Sequence, residues 1–304
     1  PKLMAHVIIP EAEEILDKEF RCLDKGFVRL IDYMGGDESI VQAARVSYGK
    51  GAKTNYEDRN LIRYLMRHQH TTPFEMVELK FHAKLPLFVA RQWIRHRTAN
   101  VNELSGRYSI MKDEFCVLDP KDIRYQSKIN KQGESEDEVP SELGQEFINI
   151  LIKGQGAAYE KYKYLLEKGI ERGLARINLP LSLYTQWYWK IDLHNLLHFL
   201  KLRIDKSAQR EIRVYAKAMA EITRKVVPLS YEAFENYVLN SLTFSKLETK
   251  IISQIINKGN LKSELEGIAS LLNTAEKGAP INYKGREFDK LELREFKEKL
   301  ENLL

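Results

Sequence analysis

The sequence predicts an α+β fold: a small, mainly antiparallel sheet surrounded by helices, with a helical C-terminal extension. Three observations predict it. Strand candidates near residues 26, 77 and 181 are separated by helical stretches of unequal length, so no regular strand–helix–strand series is present. No G-x-G-x-x-G follows a strand, which leaves a doubly wound dinucleotide-binding sheet unsupported. Beyond Ser241 the chain turns Lys- and Glu-rich with apolar residues at helical spacing. Two regions follow from this, 1–240 and 241–304.

In chain order, residues 10 to 20 place Ile15, Leu16 and Phe20 on one side of a Glu/Lys-rich stretch and predict a short amphipathic helix. From Gly26 through Phe27, Leu30, Ile31 and Tyr33 the chain reads as a strand that turns at Gly35-Gly36. Asp37 then caps a helix through Ala44, and Asp58 to His68 carries Leu61, Ile62, Leu65 and Met66 at helical spacing. Val77, Leu79 and Phe81 alternate with Glu78, Lys80 and His82, the clearest half-buried strand in the chain, and Pro86 ends it. Leu87 to about Arg97 predicts a helix with one apolar face formed by Phe88, Val89, Trp93 and Ile94.

The polar stretch Asp119 to Glu142 predicts a mobile loop, with Lys131 to Glu138 its least foldable part. Ser141 begins a long helix through about Lys168, Leu181 to Trp189 is a strand candidate, and Leu193–Leu202, Ala208–Val227 and Tyr231–Val238 are helices. In the extension, stripes at Leu247 to Ile256 and Leu261 to Leu272 precede an interruption at Gly278-Ala279-Pro280 and a last helix from Leu291 to Leu304. No repeat or low-complexity tract is present.

Of the 304 residues 43% are hydrophobic, enough for a sizeable core, and 48 basic against 43 acidic side chains leave a net charge of +5. A mild basic excess suits nucleic acid and anionic small substrates equally. The two cysteines, Cys22 and Cys116, give neither a disulfide framework nor zinc-type spacing, so a reducing, cytoplasmic setting is the expectation. No stretch approaches the about 20 apolar residues of a membrane span, nor does the N-terminal segment carry the apolar run of a signal peptide.

One stretch is too polar to be core. From Arg91 to Ser109, nineteen positions hold four arginines, one histidine, one carboxylate, two asparagines and two serines. Gathered guanidinium groups suit bidentate recognition of phosphate or carboxylate, and a solvated basic face is the alternative. Arg95-His96-Arg97 followed by Ser105, with Phe88 to Trp93 before and Asn102 to Ser109 after, resembles the R-H-R-x7-S signature of the flavin-dependent thymidylate synthases. Lys25-Gly26-Phe27-Val28, Ala43 to Ser47, His70 with Thr72-Pro73-Phe74-Glu75, and Ala208-Gln209 before Glu211-Ile212 are similar to that family too. The likeness covers roughly residues 24 to 240 and not the extension.

The resemblance implies the same α+β fold and a homotetramer with shared active sites. It implies transfer of a one-carbon unit from methylenetetrahydrofolate to deoxyuridine monophosphate (dUMP), giving dTMP, with FAD as cofactor and NADPH as reductant. Carried over residue by residue, Gln92, Trp93, Ile94, Arg95, Glu103, Leu104, Ser105, Gly106, Arg107, Arg176 and Arg203 line the dUMP pocket. Thr72, Arg95, His96, Arg97, Glu103, Asp192, Leu193, His194 and His198 approach FAD, and His70 and Tyr108 lie where folate or nicotinamide enters. Arg203 is the candidate catalytic residue. Ser207 departs from the family, many members of which carry a histidine there.

From the residues alone, His194 and His198 stand at i, i+4 on a predicted helix, but the glutamate of H-E-x-x-H and a third ligand are missing, so no metal is expected. A rival reading is a nucleic-acid-binding surface that uses Trp93, Tyr108 and the arginines for stacking and phosphate contact.

Overall fold

The computed structural model of the chain describes residues 7–46, 55–128, 133–256, 258–275 and 279–302. Ser47, Lys131, Gln132, Gly278 and the end of the last predicted helix lie outside these. The chain forms two compact units, one of Pro1–Gly49 with Thr71–Glu232, the other of Lys50–His70 with Ala233–Leu304. Among the described residues no helix is long and apolar enough to cross a membrane.

The first unit opens with a single helical turn, α1 (Pro10–Glu13), not the helix predicted over 10–20. Asp17 takes a left-handed φ of 60°, which a right-handed helix does not tolerate, and Leu16 bridges to Leu30 instead. Strands β1 (Phe20–Cys22) and β2 (Gly26–Met34) follow, and β1 is a short strand that the sequence pattern missed. Gly26 has no room for a side chain, because a Cβ there would meet the Tyr215 hydroxyl at 2.0 Å.

Helix α2 (Asp37–Val46) runs slightly longer than predicted. Its first residue, Asp37, spends its carboxylate on a different segment, accepting from the backbone N–H groups of Leu229 (2.8 Å) and Ser230 (2.9 Å). In the second unit α3 (Asn55–Arg67) is the amphipathic helix expected there.

Strand β3 (Glu78–Pro86) leads directly into α4 (Leu87–Trp93), which ends four residues before the predicted boundary. The chain then turns through Arg95 and His96, with the His96 N–H donating to the Trp93 carbonyl at 2.9 Å. It next forms β4 (Asn100–Glu103), whose four residues are all exposed and so carry no periodic signal. The stretch predicted to be a mobile loop contains a short hairpin of β5 (Arg124–Gln126) and β6 (Glu134–Glu138). Salt bridges from Arg210 to Asp122 (2.7 Å) and from Arg213 to Glu134 (3.1 Å) tie it to the body of the unit.

Helices α5 (Ser141–Glu167) and α6 (Arg172–Ala175) precede β7 (Tyr184–Asp192), which is displaced three residues from the predicted strand. Pro180 to Leu183 are used in a turn closed by the Leu183 N–H on the Pro180 carbonyl. Helices α7 (Leu193–Ile204), α8 (Arg210–Val226) and α9 (Pro228–Phe234) complete the run.

The sheet order is β1-β2-β3-β7-β4, and every pairing is antiparallel. The fold is therefore α+β, as the unequal helical spacers require. One face is dry: Val28, Leu30, Leu79, Phe81, Ala83, Leu85, Trp187, Trp189 and Ile191 are all buried. Trp93 of α4 and Ile212, Tyr215 and Met219 of α8 are equally buried in this core, with the Trp93 ring 5.3 Å from Trp189 and 5.1 Å from Phe199. The opposite face is polar. There Arg29 Nε donates to His82 Nδ1 at 2.9 Å, His82 Nε2 meets Gln186 Oε1 at 3.0 Å, and Tyr188 stacks on the His82 ring at 4.9 Å. One buried and one polar face is the pattern of an antiparallel sheet.

The second unit adds α10 (Lys246–Ile255), α11 (Lys258–Thr274), a hairpin of β8 (Ile281–Tyr283) and β9 (Arg286–Phe288), and α12 (Lys290–Glu301). The hairpin was not foreseen, and it stands where the sequence shows only an interruption. Ile268, Ile281, Phe288 and Leu293 form its small core. Glu292 of α12 is buried and accepts two bonds from the Arg63 guanidinium of α3, at 3.0 and 3.1 Å, and one from the Tyr237 hydroxyl at 2.5 Å. Thus α3 belongs structurally with the extension.

Candidate active site

The predicted site residues of the first unit come from four places: the loop between α4 and the 105–109 turn, the Arg176 region, the β7–α7 junction and the end of α7. Arg203 sits in the last turn of α7, where a helix C-terminus favours a cation. Its Nη2 donates to the Gln92 carbonyl at 3.1 Å, while its Nε is buried without a hydrogen-bond partner among the described residues. Burial alone lowers its pKa from the ordinary arginine value. A fixed cation with an unspent buried donor is what an anionic or enol-like ligand atom would complete.

Gln92 is held twice. Besides the carbonyl used by Arg203, its side-chain amide donates to Gln209 Oε1 just before α8. Gln209 is a contact that residue-by-residue transfer overlooked, although it stands in the matched Ala208-Gln209 block.

The loop after α4 gathers charge. The guanidinium groups of Arg91, Arg95, Arg97 and Arg107 are exposed and form no hydrogen bond or ion pair with any described residue. Ser105 to Ser109 form a tight turn closed by the Tyr108 and Ser109 N–H groups on the Ser105 carbonyl, and Ser105 Oγ accepts from the Arg107 N–H at 3.3 Å. Gly106 is buried against Arg176: a Cβ would lie 2.7 Å from Nη1 and 2.9 Å from Met111 Sδ. Arg176 is thereby seated beside the Ser105-Gly106-Arg107 turn. Glu103 accepts from the Thr185 hydroxyl at 2.7 Å, and Leu104 and Ile94 expose apolar side chains.

The His96 ring lies 5.7 Å from the His198 ring and 5.5 Å from Phe199. Burial first, then His198 and Arg203, hold its pKa below 6.5. Its Nε2 faces Thr98 Oγ1 at 3.1 Å. His198 is exposed on α7, and His194 is half-buried one turn earlier. Asp192 caps α7, accepting from the Asn195 N–H at 2.9 Å and its side-chain amide at 2.7 Å. The short helical segment Thr72–Met76 is joined to the same junction by the Leu193 N–H on the Val77 carbonyl, with Thr72 exposed.

Two transferred residues need correction. Trp93 is a core ring with 0% exposure, and Leu193 is equally buried with its N–H already spent, so neither offers a side chain to a ligand within this subunit. Tyr108 is 77% exposed, its carbonyl accepting from Arg172. His70 lies in the second unit, edge-on to Tyr64 at 5.7 Å. Both cysteines are buried, and burial pushes each thiol up to about 12, which rules them out as nucleophiles.

The histidines give the subunit a predicted pH dependence. The folded pKa values of His82 and His96 both lie below the ordinary 6.5, in each case chiefly through burial. The unfolded chain therefore binds more protons, so this stability is complete above 6.5 and is lost as pH falls from there through the folded values. Urea midpoints measured from pH 8 to 5 should decline on the acid side, and His82→Gln should flatten the decline. A midpoint constant over that range would refute it.

Four exposed guanidiniums in the loop after α4, Arg176 against Gly106 and a half-buried Arg203 held by main chain make a donor set that suits anionic groups on an α+β frame. The sequence profile of the thymidylate synthase complementing protein family matches residues 29–229. Proteins called flavin-dependent thymidylate synthase are similar over most of the chain. That of Treponema denticola is 58% identical over 241 residues, 79% of this chain and 91% of that protein. That of Wolbachia pipientis is 55% identical over 261 residues, 86% and 92% respectively. Among solved structures, the UMP/dUMP methylase PolB from Streptomyces cacaoi, bound with 5-Br dUMP, is 32% identical with a TM-score of 0.67, covering 73% of this chain and 100% of that one. The chain belongs to the family of flavin-dependent thymidylate synthases.

Proposed function

We propose that the protein methylates dUMP at C5 to give dTMP, with methylenetetrahydrofolate as carbon donor, FAD as the hydride-transferring cofactor and NADPH as reductant. The observation that carries this reading is the arginine set: four exposed guanidiniums without a partner among the described residues, Arg176 locked against Gly106, and Arg203 locked against Gln92. The donor set fits a diphosphate-bearing flavin and a nucleotide phosphate. In this reading Arg95, His96 and Arg97 hold the flavin, and Thr72, Asp192, His194 and His198 approach it at the β7–α7 junction. The phosphate and sugar of dUMP lie on the Ser105-Gly106-Arg107 turn and Arg176, beside Gln92, Ile94, Glu103 and Leu104. His70 and Tyr108 take part in admitting folate or nicotinamide. The subunits assemble as a homotetramer with shared sites.

Uracil C5 is a weak carbon nucleophile. Arg203 acts by placing a fixed positive charge, already desolvated, against the pyrimidine oxygen on which charge develops. No covalent step at a cysteine or at Ser105 is required. The direct test is conversion of dUMP to dTMP by purified, yellow protein with methylenetetrahydrofolate and NADPH. Colourless protein that binds RNA with a steep salt dependence would favour the nucleic-acid reading instead.

Replacing both Arg95 and Arg97 by Ala should weaken flavin binding while leaving the fold intact. Exposed pairs of this kind contribute roughly 1 kcal/mol each, so the loss is on the order of thirtyfold. Flavin titration followed by fluorescence measures it, and unchanged affinity would remove the basis of the assignment.

A further inference from the structure

We propose that Glu295 of α12 is a positioning residue: through His68 and Tyr64 it fixes the ring of His70 for the planar nitrogen heterocycle, pterin or nicotinamide, that this corner admits. Its role rests on the reading of His70 given above and brings the C-terminal extension into it.

Helix α3 ends in a corner that its own sequence does not favour. The Gln69 N–H donates to the Met66 carbonyl at 3.3 Å and the His70 N–H to the Leu65 carbonyl at 2.9 Å, the paired bonds that close a helix through a left-handed residue. Glycine is the usual occupant of that position, yet here Gln69 takes φ 56° with a full side chain. Such a conformation persists only where its surroundings over-determine it. The two residues before it are both held from the extension. Glu295 Oε2 accepts from Arg67 Nε at 2.7 Å, and Glu295 Oε1 lies 2.8 Å from His68 Nε2.

Three rings carry this hold to His70. The His68 ring lies against Tyr64 at 4.3 Å, Tyr64 meets His70 edge-on at 5.7 Å, and the His68 and His70 centroids are 6.2 Å apart. His70 is exposed and its ring has no hydrogen-bond partner among the described residues, so packing orients it.

Burial separates positioning from anchorage. Helix α12 is already fastened to α3 by two buried pairs, Glu292 with Arg63 and Glu295 with Arg67. The His68 branch is different, because its imidazole is 40% exposed and solvated pairs of that kind add little to stability. It supplies a fixed place for one ring beside a strained corner.

The test is a double-mutant cycle in the flavin-loaded full chain, with Michaelis constants for methylenetetrahydrofolate, NADPH and dUMP measured separately. His70→Ala shows, by the constant that rises, which heterocycle the corner serves. Glu295→Gln keeps the volume but loses the charge and one acceptor oxygen. It should raise that same constant about tenfold, below the roughly hundredfold that a displaced group can cost. The turnover number, the dUMP constant and the flavin content should stay nearly unchanged, and in the His70→Ala background the substitution should add nothing. His68→Ala leaves the buried Glu295–Arg67 pair whole and should reproduce the effect even if the glutamine variant folds poorly. If His70→Ala raised a constant and His68→Ala did not, the role of His70 would stand and that of Glu295 would fall. Additive effects in the cycle, or a parallel loss of dUMP binding, would overturn it as well, since Glu295 would then act on the fold and not through His70. Unchanged constants in His70→Ala itself would remove the underlying reading of that residue and this inference with it.

Discussion

Arg203→Ala should lower methyl transfer by about 10²–10³-fold, the typical cost of removing one donor aimed at developing charge, while flavin stays bound. The size follows from its setting: the guanidinium is half-buried at a helix terminus, it is anchored through one nitrogen to the Gln92 carbonyl, and it keeps a second buried N–H unspent. Lysine at this position would restore charge without the fork that serves two acceptors at once, so Arg203→Lys should remain strongly impaired. Ser105→Ala provides the contrast. Its hydroxyl accepts one bond from the Arg107 N–H, and losing such a bond costs roughly 0.5–1.5 kcal/mol, about 2- to 12-fold in rate. Replacing Cys22 and Cys116 by Ser should leave the rate nearly unchanged once the folded fraction is accounted for, since neither thiol ionises near neutrality. Single-turnover measurements on flavin-saturated protein separate these cases. If Ser105→Ala were as inactive as Arg203→Ala with dUMP still bound, a covalent serine mechanism would have to replace the electrostatic one.

Alternation and helical spacing disclosed those elements whose burial is one-sided. Strand β3 shows Leu79 and Phe81 on its dry side, and α3, α5, α7 and α8 carry apolar residues at helical spacing, so their existence could be read directly. Elements without such contrast escaped. Strand β4 is exposed at every position, β1 is three residues long, and the β8–β9 hairpin rests on only two buried side chains, Ile281 and Phe288. Boundaries failed where one backbone angle decides, as at Asp17, or where a chain turn consumes apolar residues, as at Leu181 to Leu183.

The site was legible by motif, because guanidiniums in a row have few structural uses. Periodicity could not separate the residues of that motif that face a ligand from those that hold the sheet. Trp93 belongs to the core although it stands between Gln92 and Ile94, and only the register of α4 on β7 reveals it. The seating of Arg176 against Gly106 joins residues seventy positions apart, which no local pattern encodes.

Glu292→Ala should be the most destabilising single change in the second unit. The Arg63 and Glu292 side chains are 6% and 5% exposed and are joined by two nitrogen–oxygen contacts to one guanidinium nitrogen. Tyr237 and Arg286 add further bonds to the same carboxylate, and burial with the bond to Glu292 pushes the Tyr237 hydroxyl up to about 12. Removing the carboxylate leaves a guanidinium buried beside a tyrosine that has lost its acceptor. Breaking one partner of a buried pair costs about 3–5 kcal/mol, which corresponds to a fall in melting temperature of roughly 6–20 °C for a chain of this size class. Replacing both partners, Arg63→Met with Glu292→Met, should destabilise less than Glu292→Ala, because the buried cation is then removed together with its carboxylate and the space stays filled. Flavin content per folded subunit should be unaltered in both variants, since the proposed flavin-holding residues Arg95, His96 and Arg97 all lie in the first unit. Calorimetry at neutral pH decides the matter. A shift below about 2 °C for Glu292→Ala would mean that the network is solvated in practice and that the extension is held chiefly by the small core of Ile268, Ile281, Phe288 and Leu293.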